Sequence, residues 1–201
     1  MNEGTSRKNV APLMGKTTRT RKSSFLGHKL ERNLSAAVLA SAIMTGSAFA
    51  ADLTVNDPLD PWVITNETQT FHNVTLENNS AINGVGTAGI DADGTYILKS
   101  GTVSNVNLGG SAGLTKTTGG SVYLTGSNTY TGATVISAGY LFLGDGTSGS
   151  MDGASAITVN NNGKFAINLA EGGVLSNSIV NDNHMGAVGA NTNTISGNIS
   201  V

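Results

Sequence analysis

Along much of this chain, apolar residues return at every second position in short runs, and a glycine opens each run. The pattern Gly-x-apolar-x-apolar stands at Gly94-Thr95-Tyr96-Ile97-Leu98, Gly120-Ser121-Val122-Tyr123-Leu124, Gly139-Tyr140-Leu141-Phe142-Leu143, Gly163-Lys164-Phe165-Ala166-Ile167 and Gly197-Asn198-Ile199-Ser200-Val201. Period-two alternation marks a half-buried β-strand. The second and fourth residues after each glycine then share one face, so Tyr96, Leu98, Val122, Leu124, Leu141, Leu143, Phe165 and Ile167 form the expected core. The glycines that open the runs lie 26, 19, 24 and 34 residues apart. One pair aligns further at a shift of 24: Thr134-Val135 with Thr158-Val159, Gly139 with Gly163, Leu141 with Phe165 and Leu143 with Ile167.

No single run could bury its own apolar face, so neighbours must stack on it. A recurring unit of about 20–30 residues is the mark of a solenoid. With strands and no helical period, the expected fold is all-β, a right-handed parallel β-helix in which each repeat forms about one coil. A β-sandwich or an unstructured segment is the alternative, because low charge with abundant Gly and Asn also suits disorder. Residues 51–90 read as an N-terminal capping region, and 91–201 as the β-helical repeats. In the capping region Asp57-Pro58 and Asp60-Pro61 signal turns. Trp62-Val63-Ile64 and Val74-Thr75-Leu76 are expected first strands. Trp62 is expected to cover the open end of the first coil, since terminal repeats need caps; a ligand-stacking role is the other reading.

The densest stretch is 113–144. It opens on Gly113-Leu114-Thr115-Lys116, runs through the Gly120 strand, turns at Asn128-Thr129-Tyr130-Thr131-Gly132 and closes on Gly139-Tyr140-Leu141-Phe142-Leu143-Gly144. These four pieces, in this order, resemble the autotransporter-associated β-strand repeat, also called the passenger-associated transport repeat. The Asn-Thr-Tyr-Thr-Gly block is the most specific piece. The departures are small: Val122 and Tyr123 replace a usual Leu and a small residue, and Tyr140 replaces a usual Thr. The likeness covers 32 of 201 residues. Within it the repeat core is expected at Leu114, Val122, Leu124, Val135, Leu141 and Leu143, and the turn at Asn128, Thr129, Tyr130, Thr131 and Gly132.

Charge divides the chain in two. Residues 1–50 hold eight of the 11 basic residues and two of the 13 acidic ones, a net charge of +6. An apolar run from Leu34 follows and ends in Ala48-Phe49-Ala50. A basic region, a short apolar region and an A-x-A exit define a cleavable secretory signal peptide over 1–50, cut between Ala50 and Ala51. The run is short and Ala- and Ser-rich for a spanning helix, and no Arg-Arg pair favours twin-arginine export. The basic residues read as an orientation signal rather than a nucleic-acid site. The expected partners are the Sec translocon and signal peptidase.

Beyond Ala50 three basic and 11 acidic residues remain, a net charge of −8. Such a chain should not bind nucleic acid through phosphates. Cysteine is absent, so strand stacking rather than disulfides must hold the fold.

Several motifs invite a chemical reading. Gly109-Gly110-Ser111-Ala112-Gly113 matches G-x-S-x-G and is followed by Asp145, Asp152, Asp182 and His184, but a nucleophile elbow needs a strand-turn-helix setting. Gly84-Val85-Gly86-Thr87-Ala88-Gly89 matches G-x-G-x-x-G and is followed by a turn rather than a helix. Asp91 and Asp93 would share a strand face and could bind a cation or act as an acid pair; a solvated turn is the plainer reading. Gly144-Asp145-Gly146-Thr147 is a fragment of a calcium repeat that does not iterate. His72 and His184 have no ligand partner at usable spacing. No catalytic, metal or cofactor site is assigned.

The resemblance implies the N-terminal passenger segment of a type V (autotransporter) protein, a structural β-helix that helps export and display at the surface of a Gram-negative bacterium. It implies a further partner, an outer-membrane translocator barrel. Such a barrel needs many alternating strands and is not expected within these residues, so the chain reads as a fragment, a truncated product or a stand-alone repeat protein. The alternatives are an adhesin for a host or matrix ligand and a β-helical carbohydrate-active enzyme.

Overall fold

The structure is a computed structural model and describes residues 51–182, 184–187 and 192–200, together with the strand Leu30–Glu31. Ala48, Ala50 and Val201 lie outside the described residues, as does the apolar run before them.

Every regular element among the described residues is a β-strand, and every pairing given between them is parallel. Apart from Leu30–Glu31, which pairs with Leu53–Val55, strands consecutive in the chain do not pair. Each pairs with a strand one coil away, as in a β-solenoid of about seven turns. The winding has three faces. The first stacks Leu53–Val55, Val74–Leu76, Thr95–Leu98, Gly113–Lys116, the start of Thr134–Leu143, the start of Ile157–Ile167, Ile179–Asn181 and Ile199–Ser200. The second stacks Trp62–Thr65, Ser80–Val85, Gly101–Ser104, Ser121–Leu124, the ends of the two long strands, and His184–Ala187. The third stacks Thr68–Phe71, Gly89–Ala92 and Asn107–Gly110, and continues in the short pairs Ser127–Asn128 with Ser150–Met151 and Val174–Leu175 with Thr194–Ile195. One coil takes between 18 residues, from Tyr96 to Leu114, and 24, from Leu143 to Ile167.

The core fills the interior of the winding. Tyr96, Leu98, Val122, Leu124, Leu141, Leu143, Phe165 and Ile167 all point into it and are buried, as is Leu114. Each such side chain contributes roughly 1.5–3 kcal/mol. Parallel sheets require both faces of each strand to be accounted for. Here the inward face is apolar, and the outward one carries Thr, Ser, Asn and scattered aromatics.

Three details differ from the sequence reading. Val135 is not in the core. It is half-buried and points outward between Thr115 and Thr158, while Thr134 and Ile136 are buried. The inward rank runs Leu114, Thr134, Ile157, and strict alternation then turns Val135 out. Thr134 is tolerated inside because its hydroxyl meets the Tyr130 hydroxyl at 2.7 Å and Ser155 Oγ at 3.3 Å.

The Asn128–Gly132 block is more than a turn. Asn128 belongs to a short strand, and both Asn128 and Tyr130 are buried, whereas Thr129 and Thr131 are exposed. Asn128 Nδ2 donates to Gly126 O at 3.0 Å and Ser150 O at 2.9 Å, so this side chain ties neighbouring coils.

The 24-residue alignment holds only in part. Gly139, Leu141 and Leu143 pair with Gly163, Phe165 and Ile167, but Thr134 pairs with Ile157, because the register slips between Ile136 and Ala138. The glycine-opened runs also divide between faces. The Gly94 and Gly197 copies belong to the first face, and the Gly120, Gly139 and Gly163 copies to the second. Residues 113–144 therefore span about one and a half coils.

Candidate functional site

The chemical motifs resolve into packing features. Ser111 is exposed at the corner between the third and first faces. One coil below, the register Gly110 to Ala92 sets Asp93 beside it, and His72 Nδ1 meets Asp93 Oδ1 at 2.7 Å. The carboxylate thus lies between the serine and histidine positions. A triad needs the imidazole between them, so this corner is an inter-coil contact. It is His72, not His184, that meets an aspartate here; of His184 only the backbone pairing with Lys164 is described.

Asp91 and Asp93 flank the buried Ala92 on the outward side, as the spacing predicts. They do different things. Asp93 is held by His72, while the Asp91 carboxylate lies over Gly109, where an added Cβ would strike Oδ1. Among the described residues no three His, Cys, Asp or Glu gather as a metal site.

The Gly84–Gly89 motif is a corner rather than a phosphate cradle. Gly86 has φ +69°, and a Cβ there would collide with Asn66 Oδ1; a Cβ on Gly84 would collide with the Asn105 carbonyl. These glycines let adjacent coils approach. Asp145 closes its own loop: Oδ1 accepts from Thr147 N at 2.9 Å, Thr147 Oγ1 at 2.8 Å, Ser148 N at 2.8 Å and Ser148 Oγ at 3.1 Å. These bonds, led by the Thr147 backbone donor, lower its pKa to about 2.

The most distinctive surface is an aromatic rank on the outward side of the second face. Tyr123 and Phe142 are register partners. Their rings are 4.6 Å apart at 7°, close to the spacing of adjacent strands, so they lie face to face along the solenoid axis. Tyr140 lies 5.5 Å from Phe142 at 10°. In the next coil Lys164 Nζ sits 4.7 Å from the Tyr140 ring centroid, and Lys164 is the register partner of Tyr140. Tyr123 and Tyr140 stay 42% and 39% exposed, enough to offer ring edges to solvent. The rank combines apolar edge surface, phenolic tips and a cation, a mixture suited to contact with a half-polar partner. Reading the runs only for their inward positions passed over these residues. The available signal was that Tyr123 and Tyr140 are both departures from the repeat pattern, at alternate outward positions.

No family model, no curated protein and no solved structure matches this chain. The fold itself makes it a β-solenoid repeat protein.

Proposed function

We propose that this chain is the N-terminal passenger segment of an autotransporter-type surface protein of a Gram-negative bacterium, and that its solenoid is a structural stalk assisting export and display. The observation that supports this most is the parallel stacking that runs through the first and second faces, in which each coil presents a strand edge that can template the next. Coil-by-coil folding suits a chain that emerges gradually from a membrane. The segment 1–50 would engage the Sec translocon and signal peptidase, and a translocator barrel would serve as the outer-membrane partner.

The test is display in a Gram-negative host with the passenger joined to a translocator barrel. Deleting 113–144 or introducing Leu141→Asp should reduce the protease-accessible chain at the cell surface. Undiminished display of both variants, or a chain that stays in the cytoplasm with residues 1–50 attached, would count against the reading.

The aromatic rank favours a second reading, an adhesin that contacts a host or matrix ligand. A Tyr123→Ser, Tyr140→Ser, Phe142→Ser variant should then reduce cell attachment while its thermal unfolding is little changed. Attachment equal to that of the unaltered chain would remove this reading.

A further inference from the structure

The aromatic rank on the second face ends differently on its two sides. Along the solenoid axis the outward register runs Ala81, Thr102, Tyr123, Phe142, Ala166. Beyond Phe142, Ala166 points outward yet is only 6% exposed, so that end is already covered. Beyond Tyr123 the next two rungs, Thr102 and Ala81, are short and half-buried. Tyr123 stacks on Phe142, and among the described residues no other ring or cation lies against it.

The Tyr123 and Phe142 rings keep the strand spacing, at 4.6 Å. The next place in that stack lies about 4.8 Å beyond Tyr123, one strand spacing further and over Thr102. A threonine side chain stops one atom past Cβ and does not fill it. The stack is one ring short, and the free side of the Tyr123 phenol overlooks a ledge floored by Thr102 and Ala81.

The rim of this ledge is polar and uncharged. Ser121 stands two residues before Tyr123 on its strand, and Ser104 two residues after Thr102, so both share the outward side. The hydroxyls of Thr102, Ser104 and Ser121 are engaged by no described protein group. A pyranose fits such a place. It offers an apolar C–H face to the Tyr123 ring and a rim of hydroxyls to side chains that both donate and accept. A partner's aromatic side chain would fill the same space, but it would bury those hydroxyls unpaired. Acidic sugars are disfavoured, since beyond Ala50 11 acidic residues stand against three basic ones. Of those three, Lys116 is buried, Lys99 is paired with Glu77, and Lys164 lies beyond the covered end of the stack.

We propose that the ledge binds one sugar ring of a neutral polysaccharide, stacked on Tyr123 over Thr102. The site rests on the adhesin reading, for which it names the ligand.

Native electrophoresis of the full chain tests it, through gels holding a soluble β-glucan, xyloglucan or galactomannan in turn, with polygalacturonate as the acidic counterpart. The expected result is retardation by at least one neutral polymer and none by polygalacturonate. Tyr123→Ala should weaken binding about tenfold, the scale of one lost ring contact. Thr102→Tyr supplies the missing ring from the protein itself, as a cross-strand aromatic pair. It should abolish retardation with thermal unfolding unchanged or raised. A Thr102→Tyr chain that melts earlier would show that the ledge has no room for a ring, and would overturn the proposal. So would retardation by no neutral polymer, retardation that survives Thr102→Tyr, or stronger retardation by polygalacturonate. Cell attachment judges the adhesin reading separately: attachment lost in the triple serine variant, with no retardation by any neutral polymer, keeps that reading and removes the sugar site.

Discussion

At the scale of single residues the least expected feature is a lysine in the core. Lys116 is fully buried and occupies the inward rank between Leu98 and Ile136. Its ammonium donates to the Thr118 carbonyl and, at 3.1 Å, to the Ala138 carbonyl. Desolvation lowers its pKa to about 8 from an ordinary 10.5. The folded state thus holds the proton less tightly than the unfolded one. Between about pH 8 and 10.5 the unfolded chain binds more protons, so stability rises with pH across that window. Tyr96 and Tyr130 act the other way. Burial raises both phenols, so their contribution is complete below the ordinary tyrosine range and is lost above it. Comparing unaltered chain with Lys116→Met isolates the lysine: in denaturant titrations the difference should move in favour of the unaltered chain from pH 8 to 10.5. A difference independent of pH would show that Lys116 does not titrate in the core.

Val135 offers a second check at this scale. Ile136→Asp places a charge in the apolar interior and should cost several kcal/mol, whereas Val135→Asp should cost about 1 kcal/mol or less. Comparable losses in thermal unfolding would contradict the phase of this strand. The alternation of these residues was legible in the sequence. The phase was not, because Thr134 is polar and only its contact with the Tyr130 hydroxyl makes it a core residue.

Among the elements, the long strands Thr134–Leu143 and Ile157–Ile167 are the telling ones, since each bends through a corner and serves two faces. Gly139 makes the bend in the first of them, with φ +71° and no room for a Cβ against the Thr118 and Gly120 carbonyls. Gly139→Ala should destabilise by roughly 1–3 kcal/mol, read as a lower denaturation midpoint with an unchanged slope. A neutral result would mean that the corner relaxes. The slip between Ile136 and Ala138 lies just before this bend. That slip is why a fixed 24-residue shift describes the second face and misplaces the first by one residue. Sequence self-similarity cannot reveal such an offset, because a one-residue bulge alters pairing without altering composition.

For the whole molecule, the coil is the unit of tolerance. The step from Leu114 to Thr134 is one complete coil. Deleting 114–133 should give a shorter solenoid that still unfolds cooperatively, since each remaining strand meets a neighbour of its own face. Deleting 124–133 alone should be far more damaging, because strands of one face would enter the next. Circular dichroism and thermal unfolding distinguish the two, and equal behaviour would argue against a register-locked winding. Leu141→Asp belongs here also. It should unfold at least its own coil, with a loss comparable to or above the roughly 2–5 kcal/mol of a buried large-to-small change, and hydrogen exchange would show how far the damage spreads.

What the sequence determined by itself was the kind of order: glycine-opened alternation sets strands, and the recurrence of runs too short to bury themselves requires stacking. It also marked eight inward residues correctly, because period two is a property of the strand backbone and needs no partner. Only the tertiary structure decided which run stacks on which. It assigned like-looking runs to different faces, turned Val135 outward, drew Asn128, Tyr130 and Lys116 inside, and lined up Tyr123, Phe142, Tyr140 and Lys164 across three coils. The physical reason is that register depends on corner geometry and on contacts about 20 residues apart, which a local pattern does not encode.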